Sequence, residues 1–226
     1  MAEKPWHELN PEFFRQVTTE TLSEYPELRV AERQQTIFLE GPFRLIHEGR
    51  EVDCFEVEIE LPHDYPSIVP KVREVIGKVE RTADHHCSEG VLCLFAPGER
   101  WKYWPPGKNL VDFLAGPVRS FFIGYLEFRK TGRWPFGQWS HGGQGILEAY
   151  TEMWKTRTSS EVATLLRVLS SRRPPWRREC SCGSGDRFGK CHGVFYKEWI
   201  EKISAEESGE ALRILTRDWE KLKTTN

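Results

Sequence analysis

In residues 51–61, EVDCFEVEIEL, Phe55, Val57, Ile59 and Leu61 alternate with Glu56, Glu58 and Glu60. Successive side chains of a strand point to opposite faces, so this run has one apolar face that must be covered and one acidic face that must stay in water. A chain with such a strand folds around an antiparallel sheet covered on one side. Residues 36–46 (TIFLEGPFRLI) carry a second β pattern, and Glu48-Gly49 between the two runs supplies the turn, which predicts a hairpin. Pro62, Pro66 and Pro70 then mark a stiff extended crossing to a further strand at 71–79.

Helical signals flank this β region. Asn10-Pro11-Glu12 is a helix start, and Phe13, Phe14, Val17 and Leu22 continue it with one apolar face to about residue 24. Residues 84–108 are rich in Gly, Pro, Trp and Cys without a period and read as a long functional loop. From Asn109, Leu110, Phe113, Leu114, Val118, Phe121 and Phe122 have helical spacing, with Pro117 expected to kink or break the helix. Further helices are predicted at 146–155 and 161–170, the second opened by a capping box from Thr158 to Glu161. Residues 170–178 (SSRRPPWRR) read as a linker, and 194–222 as one or two charged helices. The expected organisation is an α+β domain over 1–157, a helix and basic linker over 158–178, and a small module over 179–226.

Lys+Arg total 32 against Asp+Glu 34, a net charge of −2, so no global field draws the chain onto nucleic acid or an anionic membrane. The first residues lack the apolar core of a signal peptide, and no apolar run approaches the ~18 residues that span a bilayer. The expectation is a cytoplasmic protein with neither nucleic acid nor membrane as partner. In a reducing compartment its six cysteines point to metal binding or catalysis before disulfides.

Three of the six sit in residues 180–193, CSCGSGDRFGKCHG, where Cys180 and Cys182 are followed after eight residues by Cys191 and then His192. Three thiolates and one imidazole suit a closed, tetrahedral, structural Zn2+ site, and Gly183, Gly185 and Gly189 permit the tight path between the ligands. This stretch resembles the SEC-C motif, a zinc-binding module at the C-terminal ends of bacterial proteins. The resemblance implies that the module docks to another protein.

A fourth cysteine stands in GVLCL at 90–94, followed by Trp101, Trp104 and Pro105-Pro106. On its own, Cys93 is a thiol between apolar residues, the setting of a small buried hydrophobe. The order of helix, meander, LPHDYPSIVPKV at 61–72, GVLCL and Trp-Pro resembles the ubiquitin-conjugating enzymes. Tyr65, Pro66 and Pro70 match the family's proline crossing and Gly90, Cys93 and Leu94 its active-site segment; an insertion leaves Trp101 and Trp104 as candidates for its tryptophan, of which Trp104, followed by Pro105, is the better match. The resemblance spans about residues 10–125. It implies the family's α+β fold, with an N-terminal helix, a four-stranded antiparallel meander and C-terminal helices. It further implies that Cys93 holds a ubiquitin-like protein as a thioester and passes it to a target amine.

The family's His-Pro-Asn is absent; Asp84-His85-His86-Cys87 stands in its place. His85, His86 or Cys87 is therefore a candidate to support the intermediate, and either histidine to lower the Cys93 pKa or take the amine proton, the alternative for the histidines being hydrogen bonds that brace the loop. Trp134-Pro135-Phe136-Gly137 and the Gly-rich segment after His141 resemble bacterial members, which makes His141 a third candidate, its alternative role being to fix that turn. Bacterial relatives act in antiphage operons on a ubiquitin-like protein or on the C-terminus of a nucleotide cyclase. The resemblance thus implies an activating enzyme and one of these donors, from the same operon, as partners. Two other readings stay open: a non-catalytic binding module of the same fold, and a second metal site made of His85, His86, Cys87 and Cys93.

Overall fold

The computed structural model describes residues 4–80, 90–95, 99–105, 107–135, 140–156 and 158–219. They fall into two compact units, one over Met1–Leu94 and Gly107–Phe136, the other over Phe95–Pro106 and Gly137–Asn226. The chain is α+β, with an N-terminal helix, a four-stranded antiparallel sheet and C-terminal helices. No helix among the described residues is long and apolar enough to cross a membrane.

In the first unit, a short helix α1 (Trp6–Leu9) leads into α2 (Pro11–Glu24). The Asn10 side chain accepts from Phe13 N at 3.0 Å and Pro11 sits in the first turn, so the start signal works as predicted. The sheet runs β1 (Arg29–Arg33), β2 (Thr36–His47), β3 (Arg50–Leu61) and β4 (Lys71–Glu74), each strand pairing antiparallel with the next. Glu48 and Gly49 both take positive φ, the two-residue turn whose twist matches that of the strands it joins.

Gln34 and Gln35 make the same kind of turn without a glycine, with φ of 49° and 62°. That is why β1, largely exposed along its length and at the sheet edge, has no signal of its own in the sequence. The strand predicted at 71–79 is shorter than expected. After Glu74, whose buried carboxylate accepts from Ile76 N and Val79 N, the chain curls into a loop through Gly77 at φ +81°.

The alternation in β3 sets the layers of this unit. Phe55, Val57, Ile59 and Leu61 are buried, while Glu58 and Glu60 pair with Arg33, Arg73 and Lys71 on the other face. The buried face is covered by α4 (Leu110–Phe113), a π-helical turn over Leu114–Val118, and α5 (Arg119–Thr131). Phe122 of α5 stacks on Phe55 with centroids 4.2 Å apart and meets Phe43 of β2 at 5.6 Å. Pro117 neither breaks nor ends this helix. It sits inside the π turn, whose wider ladder accommodates a residue without an N–H.

The second unit is helical: α3 (Arg100–Tyr103), α6 (Gly142–Trp154), α7 (Ser159–Ser171), α8 (Gly193–Trp199) and α9 (Ala205–Arg217). α9 packs on both α6 and α7. Their shared core holds Ile146, Tyr150, Val162, Leu166, Leu169, Ala211 and Leu215, together with Cys180, Phe188, Tyr196 and Trp199 from the segment between α7 and α9. α6 begins four residues before its predicted start. Gly143 N donates to Asp218 Oδ2 at 2.8 Å, and Glu148 accepts from Ser140 N and Ser140 Oγ. A Cβ on Gly145 would lie 1.6 Å from Ser140 O, so only glycine fits there.

Candidate metal centre and the Cys93 segment

Residues 176–193 wind back on themselves between α7 and α8. Phe188 N donates to Arg178 O, Gly189 N to Trp176 O, and Cys180 N to Asp186 O at 2.7 Å. Gly183 and Gly185 turn the chain with φ near +78°, which brings Cys182 back beside Cys180. Phe188, 2% exposed, anchors the loop in the helical core, and its carbonyl accepts from Gly193 N as the chain enters α8. Trp176, read in the sequence as part of a linker, packs edge-on against Phe188 and Tyr196 and ties that stretch down as well.

This path brings Cys180, Cys182, Cys191 and His192 together, with one ligand atom from each lying within 4.8 Å of all the others. His192 Nδ1 is 3.1 Å from Cys180 Sγ and 3.3 Å from Cys191 Sγ, and Cys182 Sγ is 3.5 Å from both other sulfurs. A tetrahedral ion with bonds of ~2.3 Å to sulfur and ~2.0 Å to nitrogen needs edges of roughly 3.5–3.8 Å. These four separations are close to such edges, so the four atoms lie near enough to one another to surround a single ion. A cleft of about 420 Å³, lined among others by Thr158, Thr164, Cys180, Cys182 and His192, offers an access route from solvent.

The charges agree with the geometry. Burial pushes the Cys180 thiol up to about 11, while a hydrogen bond with Ser184 draws Cys182 down to about 6. Without a cation, burial and then the neighbouring sulfur favour a proton on Cys180; a divalent ion would replace thiol protons in the cluster. The donor set fits a soft or borderline metal ion.

His192 has a further partner that the sequence did not reveal. Its Nε2 lies 3.2 Å from Glu161 Oε1 on α7. Glu161 was legible only as a helix-capping residue, since nothing in the sequence links positions 31 residues apart.

Cys93 lies in the first unit, apart in sequence from this cluster. Val91 bridges to Arg73 of β4, and Leu92 N donates to Val72 O at 2.7 Å, so the segment is fastened to the free edge of the sheet. Leu92 is buried beneath it, and Cys93, one residue further, is half-buried. Cys54, by contrast, sits within β3, where burial raises its thiol above the ordinary value and makes it a poorer nucleophile.

His85, His86 and Cys87 lie outside the described residues. His141 is exposed at the N-cap of α6, in the second unit, where the Gly-rich turn begins. Trp101 packs edge-on against Trp199 at 5.2 Å, and Trp104 is 1% exposed. No protein-family model matches the chain, and no curated protein matches it.

Proposed function

We propose that this protein is a thioester-forming transferase of the ubiquitin-conjugating type, with Cys93 as nucleophile and a zinc-binding C-terminal module that docks to a partner. The observation that carries the reading is the position of Cys93. An antiparallel sheet in the order β1-β2-β3-β4 is followed by a segment bonded to β4, and that segment presents a half-buried thiol just past its last backbone bond. A proline crossing leads into β4 and a long helix follows the segment, the order in which the conjugating family builds its active site.

The chemistry asks little more of the chain than a placed thiolate. The Cys93 sulfur attacks the thioester carbonyl that joins the donor's C-terminus to its activating enzyme; a new C–S bond forms, the old one breaks, and the activating enzyme's thiol leaves. The amine of the target then attacks the same carbonyl, the C–N bond forms, and Cys93 departs as thiolate while the amine proton passes to a base. His85 and His86 are the candidates for that proton, and for the support that the missing asparagine gives elsewhere. The donor in this reading is a ubiquitin-like protein or a nucleotide cyclase C-terminus, charged by a separate activating enzyme in an antiphage operon. Three thiolates and one imidazole, with no fifth member of the cluster among the described residues, support zinc in a structural role.

The test combines the purified chain, ATP, and the activating enzyme and ubiquitin-like protein encoded beside it. The expected product is an adduct that thiol reductants remove. Cys93→Ala should abolish it, and Cys93→Lys should convert it to a reductant-resistant amide. Cys54→Ala should leave it intact. If the activating enzyme is charged and wild type takes up nothing, the transferase reading is wrong. Metal analysis completes the experiment: one zinc per chain is expected, and two would favour a second site at Cys87 and Cys93.

A further inference from the structure

We propose that Glu161 is a positioning residue of the metal centre: its carboxylate selects the nitrogen that His192 offers to the ion and so ties metal occupancy to α7. The inference rests on the metal-binding reading of the Cys180, Cys182, Cys191 and His192 cluster and extends it to a residue outside the ligand set.

The first argument is the orientation of the imidazole. Nδ1 of His192 faces the sulfurs of Cys180 and Cys191, and Nε2 faces Glu161 Oε1. An imidazole that lends its Nδ1 lone pair to a cation must carry its proton on Nε2, and that N–H needs an acceptor. Glu161 is placed to accept it. A carboxylate behind a metal-bound histidine fixes the ring and raises its basicity, which strengthens the metal bond.

The second argument comes from the other helices of the chain. In α4 and α9 the acidic residue at the third helical position closes a full capping box: Asp112 bonds back to Asn109, and Glu207 to Ser204. Glu161 holds the same position in α7, and the Thr158 hydroxyl accepts from its backbone N–H at 3.2 Å. Its carboxylate, however, reaches His192. The same local signature therefore serves a long-range purpose here. Because α7 contributes Val162, Leu166 and Leu169 to the helical core, the bond links the ion's coordination shell to the packing of that unit.

Zinc affinity of the full chain, measured by competition with a chromophoric chelator, tests this. Glu161→Ala should weaken binding by ~10–100-fold. Glu161→Gln should lose less, since its amide oxygen still accepts from Nε2–H. Glu207→Ala removes the equivalent carboxylate from α9 and should lower the unfolding midpoint without changing zinc affinity, which separates positioning from general loss of stability. The sulfur-to-metal charge-transfer bands of the Co(II)-loaded forms should keep their wavelengths in every variant, because the ligands are unchanged. In 15N-labelled, zinc-loaded protein the His192 Nε2–H should exchange slowly in wild type and fast in Glu161→Ala. A Glu161→Ala chain with wild-type affinity and a slow Nε2–H would overturn the inference alone. A wild-type chain that takes up no metal would overturn the metal reading and this inference together.

Discussion

The two units of this protein solve the same problem, covering apolar surface, by different means. In the sheet unit the solution is distributed: β3 alternates along its length, its neighbours follow in register, and Phe122 of α5 lies on Phe55 and Phe43. In the helical unit it is concentrated: a glycine-rich segment enters the core through Cys180 and Phe188 and is otherwise held by four heteroatoms and backbone bonds. The difference shows what decides the fate of a cysteine. Cys180, Cys182 and Cys191 lie at hydrogen-bond distance from one another or from His192 and make a candidate ligand set, whereas Cys93 stands half-buried in a segment bonded to β4, away from these sulfurs in the sequence.

On the zinc reading proposed above, removing the metal is the strongest way to tell the two units apart. Structural zinc contributes on the order of 10 kcal/mol or more to small zinc modules at neutral pH. Chelation, or Cys180→Ser, should therefore unfold the segment between α7 and α8 and loosen α7 and α9 around it. Amides of β2 and β3 should keep their protection. Hydrogen exchange read by mass spectrometry reports both at once. Equal loss of protection in the two units would mean that the metal holds the whole chain and that the contrast is false.

The converse experiment acts on the sheet. Phe122→Ala deletes the ring that covers Phe55 and Phe43, and truncating a buried phenylalanine costs about 3–5 kcal/mol. The first unit should lose that much in denaturant unfolding followed at its own amides. Zinc content and the Co(II) spectrum should stay as in wild type. A variant that loses metal as well would show that the sheet unit supports the centre.

These expectations also show which parts of the molecule the sequence could disclose. β3 and its hairpin were legible because a period of two and a two-residue turn are local signals, and α2 because its cap and proline are adjacent. β1 was not, since its pairing depends on β2 and its turn carries no glycine. Pro117 was legible as an interruption of the helix, but not the form it takes, a π turn that lets the helix resume at Arg119. The candidate metal ligands were legible because all four lie within thirteen residues of one another and their chemistry admits few other uses. Glu161 was not, because its capping signature was complete without His192. Cys93 stands between these cases: its residue type and flanks were visible, but its attachment to β4 is a property of the fold.

Acid should separate the units by a smaller margin, and in a defined order. In β3, burial alone would raise Asp53 and Glu60. Lys78 and the Cys54 N–H at Asp53, and Lys71 and Arg73 at Glu60, outweigh it and hold both carboxyls below their ordinary values. A carboxyl depressed in the folded state adds stability that is complete above its unfolded value and is lost as pH falls through the folded one. The ion pairs of the sheet should therefore persist down to about pH 4, the ordinary carboxylate range, and fade only below it. At the metal centre, protons compete for thiolates whose ordinary pKa is ~8.5, so affinity weakens from neutral pH downward. Zinc release, followed with a chromophoric chelator, should thus precede any loss of protection in β3 as pH is lowered. Asp53→Asn with Glu60→Gln should flatten the acid dependence of the sheet and leave the zinc-release curve where it was. Coincident curves in wild type would show that the two units unfold as one.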